Sequence, residues 1–154
     1  MTGLFAEEDQ NSLYFSRSNV DETLGTFSRR SFFLDEKEWP SVEHYYQAMK
    51  FEQEEDQEKI RLAASPQKAR RLGRSRFRKR RPNWQSMKTT VMTRAVYIRA
   101  KTHEDVRNAL ESTGDQRLVE NNSYDYFWGC GRDRRGDNHY GKVLMNVREK
   151  LRQE

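Results

Sequence analysis

Apolar residues recur at helical spacing in several stretches of this chain, with short β-like runs between them. After Trp39-Pro40, Ser41 precedes Val42, Tyr45, Tyr46 and Met49, a three-and-four spacing that predicts a helix from Val42 to Leu62, N-capped by the Ser41 hydroxyl. Ser65-Pro66 predicts a short helix ended by Gly73, with proline in its favoured first turn. Asn83 opens a longer one, with Trp84, Met87, Val91, Ala95 and Ile98 on one face and an end near Lys101. Thr102 is the expected cap of the next, which carries Val106, Ala109 and Leu110 and stops at Gly114. Tyr140, Val143, Leu144, Val147 and Leu151 describe a closing amphipathic helix. Leu13-Tyr14-Phe15 and Leu118-Val119 read as short strands, and Phe27 to Trp39 as a hairpin-like entry to the first helix. Residues 1–12 show little pattern and read as a loose terminus. The sum is a mainly helical fold with a small sheet or hairpin, in a single domain over residues 13–154.

Along one edge of the first apolar face run Glu43, Gln47 and Lys50, at i, i+4 and i+7. Two readings fit those residue types. Glu and Lys on a helix are commonly solvated, with Gln47 bridging them. Alternatively, a carboxylate and an amine on the rim of an aromatic surface, costly to desolvate, pair an acid/base with a nucleophile. Side chains in a helix lean toward its N-terminus, so Lys50 would lean back over Gln47 toward Glu43.

The wider sequence bears on that choice. The run from Trp39 to Lys50 resembles the signature of the NADAR family (NAD and ADP-ribose associated), roughly W/Y-P-S/T-x-E-H-x-Y/F-Q-A-x-K, with every fixed position present from Pro40 onward. Further blocks follow in order over about Leu24 to Arg152: Ala64-Ser65-Pro66, Ala69 and Leu72-Gly73-Arg74; Trp84, Lys88, Val91 and Met92; Thr113-Gly114 with Leu118-Val119-Glu120; Asp125, Phe127-Trp128-Gly129 and Gly131; and Gly136, Asn138, Gly141, Leu144-Met145 and Val147-Arg148. Two positions depart from the family pattern. Thr26 stands where the family usually has Asn, and Arg70 where it has Lys, which keeps the charge but changes a point donor into a planar fork. The resemblance implies an α+β fold and cleavage of an N-glycosidic bond between ribose and a base or amine. The implied substrate is a small ribosyl or phosphoribosyl molecule, such as the phosphoribosylamino-pyrimidine intermediates of riboflavin synthesis. Removal of ADP-ribose from guanine is the alternative, and non-catalytic binding of ADP-ribose or nucleic acid a further one.

Composition sharpens this picture. Of 154 residues 34% are hydrophobic and 34% charged, so much of the core must come from 18 aromatics and five Met. A net charge of +5 favours an anionic partner, phosphate-bearing substrate or nucleic acid. That charge is uneven: Arg70 to Arg81 holds eight basic residues in twelve, and Glu52 to Glu58 five acids in seven, the latter read as the solvated end of the first helix. Cys130, the one cysteine, has no internal partner and reads as a small filler. His44, His103 and His139 are scattered without metal-ligand spacing, so neither a metal nor another cofactor is expected. No segment reads as a membrane span or a secretory leader, and a cytoplasmic location is the expectation.

The resemblance then assigns roles by position. Glu43 and Lys50 are the expected proton shuttle and nucleophile, and Gln47 orients them. In the loop from Asn121 to Asn138, Asp125 is expected to bind ribose hydroxyls or assist proton transfer, and Trp128 to stack on substrate. Glycines such as Gly129 would let the backbone approach a ligand, and Asn138 begins a helix whose free N–H groups suit phosphate. By residue type alone Phe127 reads as core, and Asp137 or Asn138 as a mere cap. Arg74 is the expected phosphate contact, whereas Arg76 to Arg81 read as a solvated face.

Overall fold

Along the chain the elements run β1 (Ser12–Phe15), β2 (Phe32–Leu34), β3 (Lys37–Trp39), α1 (Val42–Ala48), α2 (Glu54–Arg61), α3 (Pro66–Gly73), α4 (Trp84–Thr102), α5 (Glu104–Glu111), β4 (Arg117–Glu120) and α6 (His139–Arg152). They belong to a computed structural model that describes residues 11–154. The loose terminus expected over residues 1–12 lies outside the described residues except at its end, where β1 starts at Ser12. Six helices and two two-stranded sheets, among the described residues, make a mixed α+β and mainly helical fold, as expected. The elements group into two compact units, Thr26–Glu104 and the described part of Met1–Gly25 with Asp105–Glu154.

In the Thr26–Glu104 unit, β2 and β3 pair antiparallel with Phe32 opposite Trp39. Their turn is Asp35-Glu36, both at positive φ (53° and 66°). That conformation matches the twist of a hairpin but is strained for residues with a Cβ. Asp35 is held there by the Tyr45 hydroxyl at 2.6 Å and by Arg94 Nη2 at 2.8 Å. Trp39 is buried; its indole N–H donates to Leu34 O at 2.8 Å, and its ring meets Tyr45 edge-on. The hairpin thus delivers the chain into α1, every residue of which is buried. Ser41 caps α1 as expected, accepting from the His44 N–H.

Three expectations are corrected here. The helix predicted to run to Leu62 stops at Ala48: the N–H groups of Lys50 and Phe51 reach Gln47 O and Ala48 O in a tightened last turn, and Phe51 bridges to Arg80. The acidic block is therefore not the solvated end of that helix. Glu54, Glu55 and Asp56 fill the first turn of α2, where the helix dipole favours negative charge. Thr102 does not cap α5; it is the last residue of α4, with its hydroxyl turned back to Ile98 O at 2.7 Å. Elsewhere the pattern holds, with Ser65 capping α3 and α4 following Asn83.

In the other unit, β1 and β4 pair parallel, Leu13 beside Leu118 and Phe15 beside Glu120, and α6 packs on β4. The approach is close: a Cβ on Gly141 would lie 2.0 Å from Leu118 O. Asn138 makes that approach regular. It adopts a left-handed backbone (φ 51°, ψ 44°), and its carboxamide bonds along β4, Oδ1 accepting from Glu120 N–H and Nδ2 donating to Leu118 O, both at 2.8 Å. The side chain thus serves as a strand partner for β4. Asn138→Ala leaves a buried donor and acceptor unpaired and should lower stability by on the order of 2–4 kcal/mol, read as a shifted midpoint in chemical denaturation.

Candidate active site

Glu43 sits in the first turn of α1 and is fully buried. Burying a lone carboxylate is costly, so it must be surrounded by donors. Gln47, one turn on, donates from Nε2 to Glu43 Oε1 at 2.7 Å. Arg70, from α3, donates from Nε to the same oxygen at 2.9 Å, forming an ion pair. Thr26 donates its hydroxyl to Oε2 at 2.7 Å. Helix α3 comes close enough because of a glycine: a Cβ on Gly73 would fall 1.9 Å from Gln47 Oε1. That oxygen is buried and has no hydrogen-bond partner among the described residues.

Lys50 lies beyond the helix end, in the turn between α1 and α2, so its placement differs from the predicted lean along one helical ridge. Its ammonium is 5.4 Å from the Tyr46 ring centroid, and among the described residues it has no hydrogen-bond or ion-pair acceptor. Burial lowers its pKa to about 8; the positive charge of Arg80, then those of Arg74 and Arg70, push the same way, and the Glu43 carboxylate opposes them. The basic run wraps this turn. Arg81 N–H donates to Lys50 O and Arg81 Nε to Met49 O, both at 2.8 Å, while Arg80 reaches Gly73 O. Arg78 pairs with Asp56 and Lys79 with Glu52, each at 3.3 Å. Arg76, Phe77, Lys79 and Arg80 are exposed, as expected of a solvated face, but Arg78, Lys79 and Arg81 also brace the Lys50 turn and α2. Arg74 is exposed and, like Arg71 and Arg76, has no side-chain partner among the described residues.

His44, the neighbour of Glu43, is structural. Its ring is fully buried, with Nε2 3.0 Å from Ala63 O and Nδ1 2.7 Å from Ser41 Oγ. A carbonyl only accepts, so Nε2 carries the proton and Nδ1 takes the Ser41 hydroxyl hydrogen. Burial first, against the Ala63 bond, lowers the His44 pKa and keeps the ring neutral.

The remaining predicted residues lie in the other unit. Asp125 Oδ1 accepts from the N–H groups of Phe127 (3.0 Å) and Trp128 (2.8 Å), and Oδ2 pairs with Arg17 at 2.8 Å. Trp128 is buried, its ring edge-on to Phe127, which in turn lies against His139. Gly129 faces the carbonyls of Asn122 and Asp125, each 2.8 Å from where a Cβ would stand, so packing alone requires glycine there. Sequence reasoning gave no role to Glu120. It is buried, accepts from Arg17 N–H at 2.6 Å, and has its pKa raised, first by burial. Nor did it find that Thr26 and Arg70 meet at Glu43, since they were noticed only as departures from a pattern. Among the described residues, no group of three or more His, Cys, Asp and Glu side chains could hold a metal, and no helix is long and apolar enough to cross a membrane.

The NADAR domain profile matches residues 4–152 of this chain. The chain belongs to the NADAR family. Among NADAR relatives, a protein of Nostoc punctiforme named N-glycosidase Npun_R5314 is 46% identical over 132 residues, 84% of this chain and 85% of that one. The Escherichia coli N-glycosidase YbiA is 38% identical over 138 residues, 90% of this chain and 86% of YbiA. Its solution structure superimposes with a TM-score of 0.83, covering 98% of this chain and 94% of that one at 35% identity. A maize protein named riboflavin biosynthesis protein PYRR is 40% identical over 123 residues, 73% of this chain and 20% of the maize protein. In this NADAR chain Glu43, Gln47 and Lys50 all lie in the Thr26–Glu104 unit.

A lysine whose pKa is lowered favours the neutral amine in the folded state. The unfolded chain therefore binds more protons between about pH 8 and 10.5, and stability rises with pH across that window. Acylation of Lys50 by an amine-reactive reagent, followed by peptide mass mapping, should inflect near pH 8, whereas exposed lysines should inflect near 10.4.

Proposed function

We propose that this chain is an N-glycosidase that hydrolyses the bond between ribose, carrying a phosphate, and a base or amine, with Lys50 as nucleophile and Glu43 as proton carrier. The observation that carries the reading is the Lys50 amine: half-buried against Tyr46, without an acceptor among the described residues, and titrating near 8. At pH 7 roughly a tenth of such an amine is neutral, against a few parts in ten thousand for an ordinary lysine. The names of the Nostoc and E. coli relatives support the reaction class, and the maize name, over a match spanning 20% of that protein, supports a substrate drawn from riboflavin synthesis.

The Nζ lone pair adds to C1′ as the C1′–N bond breaks, and that bond's electron pair leaves with the base. The proton released from Nζ passes through Glu43 to the departing nitrogen. The second Nζ proton moves the same way to the ring oxygen, which is expelled to leave a Schiff base between Nζ and C1. Water then adds to C1 and the amine departs, so riboside plus water gives free sugar plus free base. Gln47 orients Glu43, and Arg74, exposed and without a side-chain partner among the described residues, is assigned the substrate phosphate. Ligand contacts of Asp125, Trp128, Gly129 and Asn138 are proposed on the resemblance alone, because the bonds described for these residues hold their own loop and β4. The reading includes action in the cytoplasm, on a small molecule.

The test is a panel of N-ribosides and ADP-ribosylated guanosine, assayed by mass for free base and free sugar. Wild type should release base from a phosphoribosylamine, and borohydride added during turnover should fix the sugar to Lys50. Lys50→Ala should lose at least about a thousandfold in rate and give no adduct. A Lys50→Ala variant as active as wild type would exclude this nucleophile. Base release only from ADP-ribosylated guanosine would move the substrate to the alternative class.

A further inference from the structure

We infer that the Thr26-Phe27 dipeptide and Arg70 form a positioning clamp that sets the Glu43 carboxylate for proton transfer. The inference rests on the function proposed above, and it assigns no direct contact with substrate to any of the three. Thr26 grips Glu43 at both ends: its carbonyl accepts the Glu43 N–H at 3.0 Å, and its hydroxyl donates to Oε2 at 2.7 Å. Phe27, buried next in sequence, lies under the Arg70 guanidinium, whose Cζ is 4.4 Å from the ring centroid. From that perch Arg70 Nε donates to the other carboxylate oxygen, Oε1, at 2.9 Å. One two-residue segment therefore directs donors to both oxygens, and the plane of the carboxylate has no freedom to turn.

The residue types suit the task. A β-branched threonine has few χ1 choices, so the backbone that binds Glu43 N–H also aims the hydroxyl. A guanidinium over the Phe27 ring can still present its Nε–H to Glu43, a planar fork that the point donor of an ammonium does not reproduce. The two departures from the family pattern thus converge on one carboxylate. Packing alone would not need the hydroxyl, because valine fills the same volume.

Thr26→Val, Thr26→Ser, Arg70→Met and Arg70→Lys separate these roles. Base release from the riboside that wild type turns over gives kcat and KM, and the ¹³C signal of the Glu43 carboxyl, assigned by its loss in Glu43→Gln, reports position directly. Thr26→Val and Arg70→Met should each lower kcat by about 10- to 100-fold through a displaced carboxylate. Their KM should stay within about twofold of wild type, and Thr26→Ser should recover kcat to within about threefold. The carboxyl signal should move in Thr26→Val and Arg70→Met and return in Thr26→Ser, with Arg70→Lys in between. Should Thr26→Val fail to fold, Arg70→Met carries the comparison alone. An unmoved carboxyl signal, or full kcat in a folded Thr26→Val, overturns the clamp. A wild type that releases no base from any riboside overturns the function instead, and the carboxyl signal then decides the clamp by itself.

Discussion

A carboxylate with no exposure to water stands at the centre of the Thr26–Glu104 unit, and its neighbours are arranged around the need to satisfy it. Desolvating Glu43 without partners would cost several kcal/mol, a large share of the stability of a domain this size. The donors come from three separate stretches: Thr26 before the hairpin, Gln47 in α1 and Arg70 in α3. Meeting that requirement therefore also fixes α1 against α3 and the Thr26 segment against both. Gly73 is part of the same constraint, since any side chain there would collide with Gln47.

Glu43 and Lys50 are distinguished by what surrounds them. Glu43 is met by a hydroxyl, an amide and a guanidinium, whereas Lys50 meets an aromatic face and the charges of Arg80, Arg74 and Arg70. Burial and like charge lower the Lys50 pKa and so raise the neutral share of its amine. The arginine run serves both ends, Arg70 bonding to Glu43 while the Phe51–Arg80 bridge and Arg81 hold the Lys50 turn in place. The run is a solvated face, as expected, that also supplies framework bonds through Arg78, Lys79 and Arg81.

In the other unit the same logic accounts for residues that motif reading assigned to ligand. Asp125 organises its loop by accepting two backbone N–H groups and pairing with Arg17. Gly129 and Gly141 are glycines because carbonyl oxygens stand where a Cβ would go, and Asn138 completes the hydrogen bonding of β4. Fixed positions in a motif mark a constraint without saying which kind. A close backbone approach to another strand or loop demands glycine as strictly as an approach to substrate does.

Local signals settled a good deal in advance. The Ser41 and Ser65 caps, the hairpin before α1, the α4 and α6 stripes and the two short strands follow from spacing and cap chemistry within a few residues, as do the types at Glu43, Gln47 and Lys50. The break after Ala48 was not legible, because apolar spacing continues through Met49 and only the Phe51–Arg80 bridge and the acidic start of α2 end the helix. Nor was the parallel pairing of Ser12–Phe15 with Arg117–Glu120, which depends on residues about a hundred positions apart. Sequence by itself determined most of the elements and the side chains they carry, since caps and periodicity act within a turn or two. Only the tertiary structure decided that Thr26, Arg70 and Arg80 surround Glu43 and Lys50, because desolvation and charge depend on distance in space.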